Sequence, residues 1–243
     1  MRKCIIFLII SCSCSVCARA ELYAVFAGVS KYNEAASLEA PFLDGEARKM
    51  RDLFSKPDNP NVKLITNENV NRENLLNALK FISKKAGEND QILFFYAGRS
   101  INGNISAYDD ATNGVSFEEI NGILATSPSK TKIILMANCN TDADNYHAEN
   151  RAITAFKSEN LFVLQASRPN EKSIGNKDLA GSYFTYYLVE GIQGKADLNA
   201  DGRIDAFELY AYVSIRVSDK TDNQQHPVMS GTMDGGKTLF KSK

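Results

Sequence analysis

Two stretches hold residue types that can do chemistry. The apolar run "TKIILMANC" (131–139) ends on Cys139, and "FFYAGRSING" (94–103) places Arg99 and Ser100 directly after the small residues Ala97 and Gly98. A thiol at a strand end is a potential nucleophile, and a titratable partner is expected at the mouth of the neighbouring strand. Here that neighbouring position is Arg99. Its charge could favour the Cys139 thiolate. It cannot take up and return a proton, as an acid–base partner must, because guanidinium stays protonated at ordinary pH. The two histidines, His147 and His226, both read as residues of polar loops.

A second constellation is "DLNADGRIDAFE" (197–208). It fits the calcium-loop pattern D-x-[DN]-x-[DN]-G-x₅-E with Asp197, Asn199, Asp201, Gly202, Arg203 through its carbonyl, Asp205 and Glu208. The same residues fit a second reading: Asp205 as a helix N-cap with Glu208 three residues on, a capping box needing no metal. Calcium is the one cofactor the sequence raises.

The elements that must position these groups alternate. Strands are expected at 21–30, 61–66, 91–98, 131–139 and 160–167, and helices at 44–54, 71–86, 116–126, about 178–193 and about 205–217. Ser116 and Glu119 form a capping-box pair ahead of the third helix. The unbroken apolar runs at 91–98 and 131–139 suit strands covered on both faces, hence a parallel sheet in an α/β layer sandwich. In such sheets chemistry gathers at the carboxyl ends of the strands, which is where Arg99, Cys139 and Ser167 fall.

Residues 1–20 are of another kind. Arg2 and Lys3 precede "CIIFLIISCSCSVC", and "ARA" ends at Ala20. A basic start, a short apolar core and an A-x-A site predict a secretory signal peptide, with the folded domain at 21–243 and an exported product. A membrane anchor and a lipid-bearing Cys12 are the alternatives. Cleavage removes Cys4, Cys12, Cys14 and Cys17, which leaves Cys139 as the thiol of the mature chain, either a nucleophile or a small buried hydrophobe. It also leaves 25 basic against 29 acidic side chains, with no basic stripe for nucleic acid and no membrane span in the mature chain.

The strand endings at 93–98 and 133–139, "VLQASRPNEKS" (163–173), "SYFTYYLVEGIQGKADLNADGRIDAFELYAYV" (182–213), "SAYDDA" (106–111) and "QQHPVMSG" (224–231) together resemble the caspase-like cysteine peptidases, nearest the bacterial metacaspase-type branch. The resemblance implies the caspase-type three-layer sandwich, with a central, mostly parallel six-stranded sheet and helices on both faces. It aligns Cys139 with the family nucleophile and puts Arg99 where the family has its histidine, with Ser100 in place of the following glycine. Ala137 stands where the family has an aspartate of an acidic pocket for basic residues, and Asn140 where it often has histidine. Glu46 looks like the counterpart of a second acidic pocket position. The expectation is an impaired pseudopeptidase that acts by binding a peptide or protein. The alternative is an active cysteine endopeptidase with an unorthodox base and a preference for basic residues.

Overall fold

The structure, a computed structural model, describes residues 20–33, 40–54, 59–140 and 154–242. The segment before Ala20, expected to be a signal peptide, and His147 lie outside the described residues. In chain order the elements are β1 (Leu22–Gly28), α1 (Leu43–Phe54), β2 (Val62–Thr66), α2 (Arg72–Lys85), β3 (Gln91–Ile101), the short β4 (Asn104–Ile105) and β5 (Val115–Ser116), α3 (Phe117–Ala125), β6 (Thr131–Asn140) and β7 (Leu161–Gln165). The hairpin β8 (Gly175–Asn176) and β9 (Gly181–Ser182), α4 (Tyr183–Glu190), β10 (Arg203–Asp205), α5 (Ala206–Lys220), β11 (Val228–Gly231) and β12 (Thr238–Lys241) follow.

The central sheet runs β11-β7-β6-β3-β1-β2. Five of these strands are parallel, and β11 adds antiparallel to β7 at the edge. The expected six-stranded, mostly parallel sheet is therefore present, with β4 and β5 as an appendix to β3.

Strand side chains alternate between faces, and this splits the core in two. Leu93, Phe95, Ala97, Ile133, Leu135 and Ala137 face α1, α4 and α5. Ile92, Phe94, Tyr96, Ile134 and Met136 face α2 and α3. Each fully buried aliphatic side chain contributes about 1.5–3 kcal/mol, so both layers are firmly held. The helices begin where side chains satisfy their first amides: Asn71 caps α2, Ser116 and Glu119 form the expected box on α3, and Ser182 caps α4.

Two expectations shift. β3 runs to Ile101, past the predicted end at Gly98, so Arg99 is a strand residue and not part of a turn. The cause is Asn102-Gly103, both at positive φ (50° and 78°), which fold β4 back onto the end of β3. Such a pair is a strong two-residue hairpin signal. The helix expected over 178–193 begins at Tyr183, because the β8–β9 hairpin takes up the residues before it.

Candidate active site

Arg99 and Cys139 are register partners in the parallel β3–β6 pair. Their odd positions share the face of Ala97 and Ala137, so the two side chains stand side by side on strands about 4.8 Å apart. Both are partly exposed. They line a cavity of about 300 Å³ together with Ala137, Glu46, Phe42 and Lys177. The sheet and α1 thus bring together at one cavity four of the residues singled out in the sequence: Cys139, Arg99, Ala137 and Glu46.

The backbone of Arg99 is clamped on both sides. Its amide donates to the Tyr32 hydroxyl at 2.8 Å, and its carbonyl accepts from the Tyr96 hydroxyl at 2.8 Å and from the Ser106 amide at 2.9 Å. Burial pushes Tyr32 above the usual phenol range, with the nearby Cys139 adding to the rise, and burial pushes buried Tyr96 well above it. Gly98 makes the clamp possible, since a Cβ there would fall 2.1 Å from the Tyr96 hydroxyl. Ser100 points to the other face and is buried, its hydroxyl accepting from Asn138 Nδ2 at 2.7 Å. Neither tyrosine is marked by a sequence motif, since the clamp depends on contacts made only in the folded chain.

Glu46 reaches the cavity because α1 packs closely on the end of β1. A Cβ on Gly28 would meet the Leu43 carbonyl at 2.5 Å and Ala47 at 2.8 Å. Ser30 holds the start of α1, its hydroxyl 2.6 Å from Asp44 Oδ1 and accepting from the Asp44 amide at 3.0 Å. The Glu46 side chain is 1% exposed. One carboxylate oxygen accepts from the Ser182 amide and the other from the Thr185 hydroxyl at 2.6 Å, both at the start of α4. Burial raises its pKa against the lowering pull of those donors. The acid is therefore a joint between two helices as well as part of the cavity wall.

His226 lies elsewhere. It precedes β11, its Nδ1 is 2.7 Å from Glu171 Oε1, its amide donates to the same carboxylate at 2.7 Å, and it does not line the cavity.

The 197–208 loop is distant in sequence and is hydrogen-bonded within itself. Asp197 accepts from the amides of Asp201 and Gly202 at 3.1 and 3.0 Å, Asn199 accepts from Asp201 at 2.9 Å, and Asp201 accepts from Arg203 at 2.8 Å. Glu208 accepts from Leu198 and Asn199 through one oxygen and from Asp205 through the other, while Asp205 caps α5 by accepting from the Glu208 amide. The capping box is thus formed. Both oxygens that a calcium loop would use at its last position are engaged by amides. Among the described residues no group of three or more His, Cys, Asp or Glu stands together as a metal site.

Among the described residues no helix is long and apolar enough to cross a membrane. No curated protein sequence matches the chain. A crystal structure of a Geobacter sulfurreducens protein superposes with a TM-score of 0.64 at 12% identity, covering 91% of this chain and 99% of that one. That likeness bears on the fold. The family model described as the caspase domain matches residues 22–237, and it runs from the first residue of β1 to the edge of the last strand. With Cys139 at the carboxyl end of a central strand in such a sheet, the chain belongs to the caspase-domain peptidase family.

Proposed function

We propose that this protein is a metacaspase-type member in which Arg99 has replaced the catalytic histidine, and that it holds a peptide or protein segment in its cleft without turning it over. The supporting observation is the pairing of Arg99 with Cys139 on one face of adjacent strands. The residue beside the thiol is a permanent cation, so it can attract an anion but cannot pass a proton to a leaving amine. Loss of one member of a nucleophile–base pair costs several orders of magnitude in rate. His226, held by Glu171, supplies no substitute at the cavity.

The second reading, an active endopeptidase with Cys139 as nucleophile and a taste for basic residues, draws on Glu46 in the cavity wall. It is the weaker one, because burial favours the neutral form of this acid and both its oxygens already accept hydrogen bonds. Export after cleavage near Ala20 is part of the proposal and rests on the sequence of residues 1–20. A weak calcium site at 197–208 is part of it too. It is supported by Asp197 and Asn199, whose oxygens converge on one amide, and it requires Glu208 to release its own amide partners.

The test is direct. Purified protein is incubated with a peptidyl electrophile directed at cysteine and, separately, with short fluorogenic peptides bearing Arg or Lys before the scissile bond. Labelling of Cys139 with no turnover is the expected result. Turnover that disappears in Cys139→Ala would establish the endopeptidase instead.

A further inference from the structure

On the face of the sheet opposite the Cys139 cavity, α2 and α3 leave a groove of about 700 Å³ between them. Its apolar surface comes from Leu76, Ile123 and Pro128. There is room on the α3 side, for a Cβ added to Gly122 would meet nothing within 4 Å.

The polar groups of this groove include Ser83, Lys80, Lys84 and Glu119. Ser83 lines it, is 2% exposed, and its hydroxyl has no hydrogen-bond partner. A helical serine ordinarily bonds back to the carbonyl four residues earlier, and a buried polar group left unmade is costly. Lys80 and Lys84, exposed and one turn apart, form the α2 rim, a like-charge spacing that opposes helix formation. Neither lysine forms an ion pair among the described residues. The acid across the groove does not neutralise them. Glu119 is bound by the Arg72 guanidinium and by the Ser116 amide.

We propose that the α2–α3 groove docks an acidic amphipathic segment of a protein partner. Its apolar side chains lie on Leu76, Ile123 and Pro128, and its carboxylates meet Lys80 and Lys84. The charge complementarity selects an acidic segment over a basic one, and the mostly apolar floor selects an amphipathic segment over a merely acidic one. The groove is on the other layer from the cleft, so the inference stands independently of whether the cleft cleaves or holds its ligand.

The experiment uses the whole protein and fluorescence anisotropy of two labelled synthetic peptides. They share one pattern of leucines and carry Glu or Lys at every polar position. The Glu peptide is expected to bind and the Lys peptide not to. The double variant Lys80→Glu/Lys84→Glu should lower affinity at least tenfold, and Gly122→Leu, which fills the groove, should do the same. Each variant is checked for an unchanged far-ultraviolet spectrum and unchanged Cys139 labelling. Equal binding of both peptides, or binding of the Glu peptide indifferent to the two lysines, would overturn the proposal. So would a lysine-dependent binding of phosphatidylserine vesicles with no binding of the Glu peptide, which would assign the groove to a lipid surface.

Discussion

The Tyr32 hydroxyl accepts the Arg99 amide at 2.8 Å and stands near enough to Cys139 for the two to interact electrostatically. One side chain from the loop after β1 thus sets where β3 carries its cation relative to the thiol on β6. Tyr32→Phe removes that acceptor and should cost about 1 kcal/mol of stability, read from urea unfolding. It should also change the rate at which iodoacetamide alkylates Cys139, and Arg99→Gln should slow that rate. Alkylation identical in all three proteins would show that neither the clamp nor the guanidinium acts on the thiol.

Gly98→Ala tests the same clamp from the other side. The new methyl would meet the Tyr96 hydroxyl, so the tyrosine must leave its two carbonyl partners or the strand must move. A loss of about 1–3 kcal/mol is expected for such overpacking. An unfolding midpoint equal to that of the wild type would mean that Tyr96 swings away without penalty.

Glu46 predicts a pH dependence. Its pKa in the folded protein is raised by burial above the ordinary carboxylate value, despite the hydrogen bonds from Thr185 and Ser182. Between the unfolded pKa and the raised folded one, the native state binds more protons than the unfolded chain. This group's stabilisation is therefore complete below the unfolded value and is lost as pH rises through the folded value. Relative to Glu46→Gln, the wild type should lose stability as pH rises above the ordinary carboxylate range. Parallel stability profiles for the two proteins would refute the assignment.

The proposed loss of the catalytic base leads to a restoration experiment. Arg99→His puts an imidazole with a pKa near 6.5 beside Cys139, and weak cleavage of peptides with Arg or Lys is the most expected from it alone. Adding Ala137→Asp should raise the rate, since that position lines the same cavity. Adding Ser100→Gly restores the family's glycine but removes a hydroxyl acceptor of buried Asn138 from the end of β3, at a cost of about 1–3 kcal/mol. Cys139→Ala should abolish any activity gained. A wild type that cleaves, and stops when His226 is replaced, would place the base elsewhere.

The 197–208 loop separates its two roles by calorimetry. Asp205→Ala removes the N-cap of α5 and should cost about 1 kcal/mol in the presence of chelator. If calcium binds, millimolar calcium raises the melting temperature of the wild type by mass action, and Asp197→Ala abolishes the rise. Identical melting curves in calcium and in chelator would leave the capped turn as the whole account.

The alternation of five strands with helices, the parallel sheet, and the positions of Arg99 and Cys139 near strand ends were legible in the sequence, whereas β4, β5 and β8 to β12 were not expected. Apolar runs and capping pairs such as Ser116 with Glu119 are local signals that survive without tertiary context. The extension of β3 through Arg99 is marked in the sequence by the hairpin pair Asn102-Gly103. That Arg99 stands beside Cys139 was expected from those strand ends, but the exact register was not legible, because register between strands forty residues apart is set by packing of both faces. Nor was the character of Glu46. Its spacing on α1 marks an acid near the site, but burial against α4 and the donors Ser182 and Thr185, more than 130 residues away, decide whether that acid is a charge or a cap. Sequence determined which groups are present and at which strand ends. Folding decided their partners, because desolvation and hydrogen bonding depend on neighbours that the chain brings together only when it packs.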